Sequence, residues 1–111
     1  MTTPESKVKS RINEVLKRHN VYAFMPVQSG MGAAGLDYHC VVKVGNLPIA
    51  FFIEAKDWLK PTTLRQDTFM ADREKHQHAP SFVIDDEPTL KRLEQWLQKL
   101  EQLKSTMFLP I

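Results

Sequence analysis

The chain has one cysteine, Cys40, only four glycines, and no apolar run approaching the roughly 20 residues of a membrane helix. A lone cysteine forbids an internal disulfide and points to a reducing compartment. The N-terminus carries no signal-peptide pattern, and no membrane partner is expected. Charge of one sign is also scarce. Fifteen Lys and Arg face 13 Asp and Glu, a net of +2, which is far from the footprint of an obvious nucleic-acid binder. No internal repeat, low-complexity tract or linker interrupts the sequence, so residues 1–111 are expected to form one domain. With 42% hydrophobic and 25% charged residues the composition is that of an ordinary globule and excludes wholesale disorder. A chain of this size buries roughly 65% of its extended surface, enough for one core without staples.

What is present is a legible order of elements. A first helix is predicted from about Thr3 to His19, capped by Thr2 or Thr3, with Pro4 in a first turn where a missing N–H costs nothing. Val8, Ile12, Val15 and Leu16 give it one apolar stripe. Val21–Val27 has strand character, and Asp37–Val44 alternates as a strand. Gly45-Asn46 suits a two-residue hairpin turn into a dense apolar strand, Ile49–Lys56. That strand is expected to be central, because Ala50–Ile53 has no polar face. A second helix follows Pro61, from about Thr62 to Gln77, then a short strand at Ser81–Ile84. Asp85 or Asp86 caps a last helix with Pro88 in its first turn and an apolar face of Leu90, Leu93, Trp96, Leu97, Leu100 and Leu103. The tail from Thr106 to Ile111 is apolar and too short for a helix of its own. It is expected to add an edge strand or dock on a partner. The result is an α/β fold in the order α-β-β-β-α-β with an added C-terminal helix, a mixed central sheet flanked by helices.

Gly30, Gly32 and Gly35 spell the G-x-G-x-x-G of dinucleotide-binding sites. That motif works when a helix leaves it, because the helix N-terminus holds the pyrophosphate. Here a strand leaves it, so no nucleotide cofactor is expected. The loop instead allows another backbone to come close.

The chemistry gathers elsewhere. Glu54 and Lys56 are two apart on one strand, so both side chains share a face. Alone, such a pair is a common and weak surface ion pair. Asp37 changes this. If the two strands pair as a hairpin about Gly45-Asn46, the loop carrying Asp37 lies across from Lys56, and the carboxylates of Asp37 and Glu54 can face one point. Two converging acids raise each other's pKa and call for a proton or a cation, and a hard divalent ion held through oxygens is the natural resolution. Glu5 lies within roughly 40° of the centre of the first helix's apolar stripe, whereas Glu14 falls nearly opposite it. Geometry prefers Glu5 as a helix carboxylate facing the sheet, although Glu5 could equally complete the N-terminal turn. Gln66 shares a face with Phe69 and Met70 and must find a partner. That partner is either a core backbone group or something at the site.

In this order the residues resemble the PD-(D/E)XK nuclease core, and more closely the small stand-alone VRR-NUC nucleases of phages and bacteria. The matching stretches are Thr3-Pro4-Glu5, Phe24-Met25-Pro26, Gly30–Gly35 before Asp37, Ile53-Glu54-Ala55-Lys56 and Pro61–Gln66, spread over residues 3–84. The family usually has proline before the aspartate, where this chain has Leu36. The resemblance implies a restriction-endonuclease-like fold and an Mg2+- or Mn2+-dependent deoxyribonuclease of the bacterial or phage-infected cytoplasm. It further implies a homodimer acting on branched DNA, as Holliday-junction resolvases do. Asp37, Glu54 and the Ala55 carbonyl would hold the metal, with Glu5 joining directly or through water. Lys56 would position or activate the attacking water, and Gln66 would hold the phosphate or Lys56. The alternatives are a catalytically silent, dimeric DNA-binding module on the same fold and an unrelated α/β interaction protein.

Other residues carry less. His76 and His78 do not share a helix face and read as a solvated helix end. His39 shares the face of Asp37 and could touch the site. Cys40 points the other way, so a nucleophilic role is not expected. Setting aside Glu5, Asp37 and Glu54 leaves 15 basic residues against 10 acidic ones, so the weak net charge masks a basic surface.

Overall fold

The computed structural model describes residues 4–26, 36–57 and 60–107, apart from the side chains of 4, 5 and 104–107. The chain order is α1 (Pro4–Arg18), β1 (Tyr22–Phe24), β2 (Tyr38–Val44), β3 (Leu47–Ala55), α2 (Leu64–Gln77), β4 (Ser81–Ile84) and α3 (Glu87–Met107). The glycine loop, the proposed caps Thr2 and Thr3, Val27 and residues 108–111 lie outside the described residues.

The four strands form one sheet in the order β1-β2-β3-β4. β1, β2 and β3 are antiparallel neighbours, and β4 joins β3 in parallel. Gly45, at φ 61°, makes the turn that pairs Val44 with Leu47. The parallel β3–β4 pair needs a crossover, and α2 supplies it. β3 is an interior strand, as its composition predicted.

One face of the sheet carries the core. Ile12, Val15 and Leu16 of α1 pack with Tyr38, Cys40 and Val42 of β2, Phe51, Ile53 and Ala55 of β3, Ile84 of β4 and Leu90, Leu93 and Leu97 of α3. The periodic stripes of the first and last helices are thus the surfaces that meet the sheet. Burial pushes the Cys40 thiol on this face up to about 12.

Among the described elements α2 covers the other face, and none of α2's residues is buried. Ala50 is exposed and Phe52 half-buried, because α2 reaches only the end of β3 that carries Glu54. The last helix also differs from expectation. α3 runs to Met107, so Thr106 and Met107 extend its ladder instead of starting a separate tail.

The predicted ends are set by local hydrogen bonding. α1 closes with Asn20 in the left-handed region at φ 56°, and Val21 N–H donates to Leu16 O at 2.9 Å. That closing bond engages Val21 in the helix end, so β1 starts one residue later than its composition suggested. At the start of α3, Thr89 N–H donates to Asp86 Oδ1, the cap expected there.

Candidate metal centre

β2 begins one residue after Asp37, and the β2–β3 register pairs Tyr38 with Ile53. Asp37 therefore comes opposite Glu54, on the α2 side of the sheet. The two acids interlock through backbone. Asp37 N–H donates to Glu54 Oε1 at 3.2 Å, and Ala55 N–H donates to Asp37 Oδ2 at 2.9 Å. Each carboxylate is thus fixed by the strand that bears the other.

Glu54 is only 4% exposed and is the buried charged residue among those described. Its second oxygen, Oε2, accepts from Gln66 Nε2 at 2.8 Å. Gln66 in turn is oriented by the N-cap of α2. Its Oε1 accepts from Thr63 N–H at 2.9 Å, and its own N–H donates to Thr63 Oγ1 at 3.2 Å. This is a capping box, so the same amide that closes the helix also holds the buried acid. Of the partners the sequence allows Gln66, the structure supplies one at the site, Glu54.

Two ammonium groups flank the pair. Lys56 Nζ lies 3.8 Å from Glu54 Oε2, and Lys9 Nζ lies 3.8 Å from Asp37 Oδ1. Both separations exceed hydrogen-bonding distance. Burial, then the charge of Asp37, push the Glu54 carboxyl from its ordinary 4.5 up to about 7, with Lys56 pulling the other way. Removal from water outweighs one cation at that distance. Below this layer, the Tyr38 hydroxyl donates to Asn13 Oδ1 at 3.0 Å and lies 3.4 Å from the Lys9 carbonyl oxygen. Burial, with Asp37 and Cys40 nearby, pushes that phenol up to about 12. It ties α1 to the base of the site as a neutral donor.

The structure therefore brings Asp37, Glu54, Ala55, Lys56 and Gln66 together. Glu5 lies in the first turn of α1, and its side chain is outside those described. Glu14 is exposed, as the stripe geometry required. Leu36, in the place where proline was expected, is fully buried and anchors the approach to Asp37. His39 is two residues from Asp37 on the same face. Its ring packs against Phe52 and Phe69, and burial lowers its pKa, so it serves as an aromatic wall beside the site. His76 and His78 are exposed, and His78 closes α2 in the left-handed region.

Sequence reasoning missed Lys9, Asn13 and Thr63. The pattern Thr63-Leu64-Arg65-Gln66 is itself a capping-box signature and could have revealed the last.

Among the described residues no three acidic, histidine or cysteine side chains converge on one point. The donor set is two carboxylates. Each has one backbone N–H donor on an oxygen and lone pairs left over, and Glu54's raised proton affinity marks a place where a cation would be favoured. All-oxygen donors suit a hard ion such as Mg2+ or Mn2+. The residues present fit such an ion.

No protein-family model matches the sequence, and no curated protein does. Among solved structures, one described as a VRR_NUC domain superposes with a TM-score of 0.60. The match covers 96% of this chain and 100% of the other, at 15% sequence identity. At that identity the likeness is one of fold: the chain has the fold of a VRR-NUC domain, an α/β core with a four-stranded mixed sheet flanked by helices.

Proposed function

We propose that this protein is a divalent-metal-dependent deoxyribonuclease whose centre is Asp37, Glu54 and Lys56. The observation that carries the reading is the interlock of the two acids. Ala55 N–H holds Asp37, Asp37 N–H holds Glu54, and Glu54 places a carboxyl group at a buried site that disfavours its charge. A structural role would be met more cheaply by an apolar pair.

Asp37, Glu54 and the Ala55 carbonyl would hold Mg2+ or Mn2+, with Glu5 joining directly or through water. The ion would lower the pKa of a bound water and neutralise charge on the scissile phosphate. The protein's own groups supply the rest. Gln66 fixes the rotamer of Glu54, so the acid is presented without reorganisation. Lys56, beside Glu54, positions the attacking water and stabilises negative charge developing on the phosphate. The tethered phenol of Tyr38 holds α1, and with it Lys9, against Asp37. Water adds across the P–O bond in line and leaves a phosphate monoester and a hydroxyl. Branched DNA as substrate and a homodimer as the working form extend the proposal. They rest on the resemblance of the motif order to junction-resolving VRR-NUC nucleases.

The test is cleavage of labelled junction, flap and linear duplex DNA in Mg2+, Mn2+ or chelator. Metal-dependent cleavage is expected, lost in Glu54→Ala and in Lys56→Ala, with preference for the branched forms and a dimer on sizing. Binding of DNA without metal-dependent cleavage of any form would leave the silent binding module in its place.

A further inference from the structure

The sheet face that holds Asp37 and Glu54 continues well beyond α2. Strand register places its side chains in rows. Phe24, His39 and Phe52 lie side by side, then Tyr22, Val41 and Ala50, then Lys43 with Pro48. Rows two residues apart are separated by about 7 Å, so the first aromatic row is one such step from Glu54 and the second is two. Tyr22 is 68% exposed, Phe24 54% and Val41 40%. The rings also connect inward. Phe24 packs edge-on to His39, with ring centroids 6.5 Å apart, and His39 lies 5.9 Å from Phe69 of α2.

Alongside these rows, α2 presents a groove of about 560 Å3 lined by Leu64, Arg65, Thr68, Phe69, Asp72 and Arg73. Leu64 is 82% exposed. Arg73 stacks its guanidinium 5.2 Å from the Phe69 ring centre, and its Nε has no hydrogen-bond partner among the described residues. Sheet positions 22, 24, 39, 41, 43, 48, 50 and 52 include no carboxylate. The groove's charges are two arginines and one aspartate. An aromatic face edged by cations and leading to a phosphodiester-cleaving centre is complementary to a polyanion with exposed bases.

We propose that this face binds an unpaired stretch of the DNA strand, its bases stacking on Tyr22 and Phe24 while Arg65, Arg73 and Lys43 meet its phosphates. It would select DNA that is single-stranded or splayed beside the scissile bond. The inference takes its DNA substrate from the nuclease reading. A duplex keeps its bases stacked on one another and offers no ring faces to Tyr22 and Phe24. A flat aromatic strip is therefore used only by unpaired nucleotides.

The test is fluorescence anisotropy in chelator with a labelled oligothymidylate and a blunt duplex of equal length. Wild type should bind the single strand more tightly than the duplex. Tyr22→Ala and Phe24→Ala should each weaken single-strand binding at least about fivefold, the effect of losing one stacked base. Tyr22→Phe and Phe24→Trp keep the rings and should keep the affinity. Arg73→Gln should lower the salt dependence by the share of about one phosphate contact. Both aromatic side chains are exposed, so the alanine variants are expected to fold, and circular dichroism checks that they do. Equal affinity for duplex and single strand, or unchanged binding in both alanine variants, would overturn the inference. So would alanine variants that turn a dimer into a monomer while strand affinity holds, which would make the face a self-interface. Because the assay contains no metal, an inactive wild type that binds strands through Tyr22 and Phe24 would sink the nuclease reading and leave the binding face. Metal-dependent cleavage with strand affinity indifferent to both rings would do the reverse.

Discussion

Replacing Asp37 with asparagine should make the metal-free protein more stable at alkaline pH while removing its capacity for metal. Asparagine keeps the acceptor that Ala55 N–H uses at 2.9 Å, so the β2–β3 lock survives. It removes a charge that, after burial, is the largest influence raising Glu54 to about 7. Two unit charges about 4 Å apart at an effective dielectric near 20 repel by about 4 kcal/mol. Solvent at the partly exposed Asp37 screens most of that, and the Lys56–Glu54 attraction is the same in both proteins. The variant also forfeits the partly exposed Lys9 contact, worth a few tenths of a kcal/mol. A net gain of about 1 kcal/mol at pH 8 remains, or about 4 °C in melting temperature for a domain of this size. The sign with pH follows from linkage. Glu54's folded pKa lies above its ordinary 4.5, so the cost of ionising it is absent below pH 4.5, grows through the interval and is complete above about pH 7. The Asp37→Asn advantage should therefore vanish near pH 4 and widen as pH rises to 8. Paired thermal melts across that range in chelator are the assay. An advantage that is constant with pH, or a variant less stable than wild type at pH 8, would refute the electrostatic reasoning.

Further outcomes rest on other contacts. Gln66→Ala deletes the bond to Glu54 Oε2 and half of the capping box, and should cost about 1–3 kcal/mol in urea unfolding. Leu93→Ala, at a fully buried α3 position facing the sheet, should cost about 2–5 kcal/mol in the same assay without changing metal affinity relative to wild type. Lys56→Ala should retain the metal-induced rise in melting temperature yet cut cleavage by about 100-fold or more, because the ammonium acts on the reacting phosphate and not on the ion. Magnesium at about 100 times its dissociation constant should stabilise wild type by about 2.7 kcal/mol and leave Asp37→Asn unmoved.

Much of this architecture is written in local pattern. The stripe Val8, Ile12, Val15, Leu16 and the run Leu90 to Leu100 name the helix faces that meet the sheet, because burial at helical spacing leaves few alternatives. The hairpin at Gly45-Asn46 sets the register, and the register alone brings Asp37 opposite Glu54. What stayed illegible depends on how separate elements dock. Nothing in Lys9 or Asn13 marks them from other polar residues of α1, and their roles appear only when Tyr38 rises from the sheet beneath them. Gln66's face was readable, but its partner was not, since contact with Glu54 depends on where the crossover helix lands. The half-covered sheet face was illegible for the same reason. The composition of Ala50–Ile53 fits a strand buried on both sides, and only the limited reach of α2 shows that Ala50 is bare.

If Asp37 and Glu54 together hold a catalytic divalent ion, calorimetric titration of Mn2+ into the protein reads it out. Saturable binding to wild type is expected, disappearing in Asp37→Asn and in Glu54→Ala with both variants still folded. Binding of the same affinity and stoichiometry in wild type and both variants would contradict it.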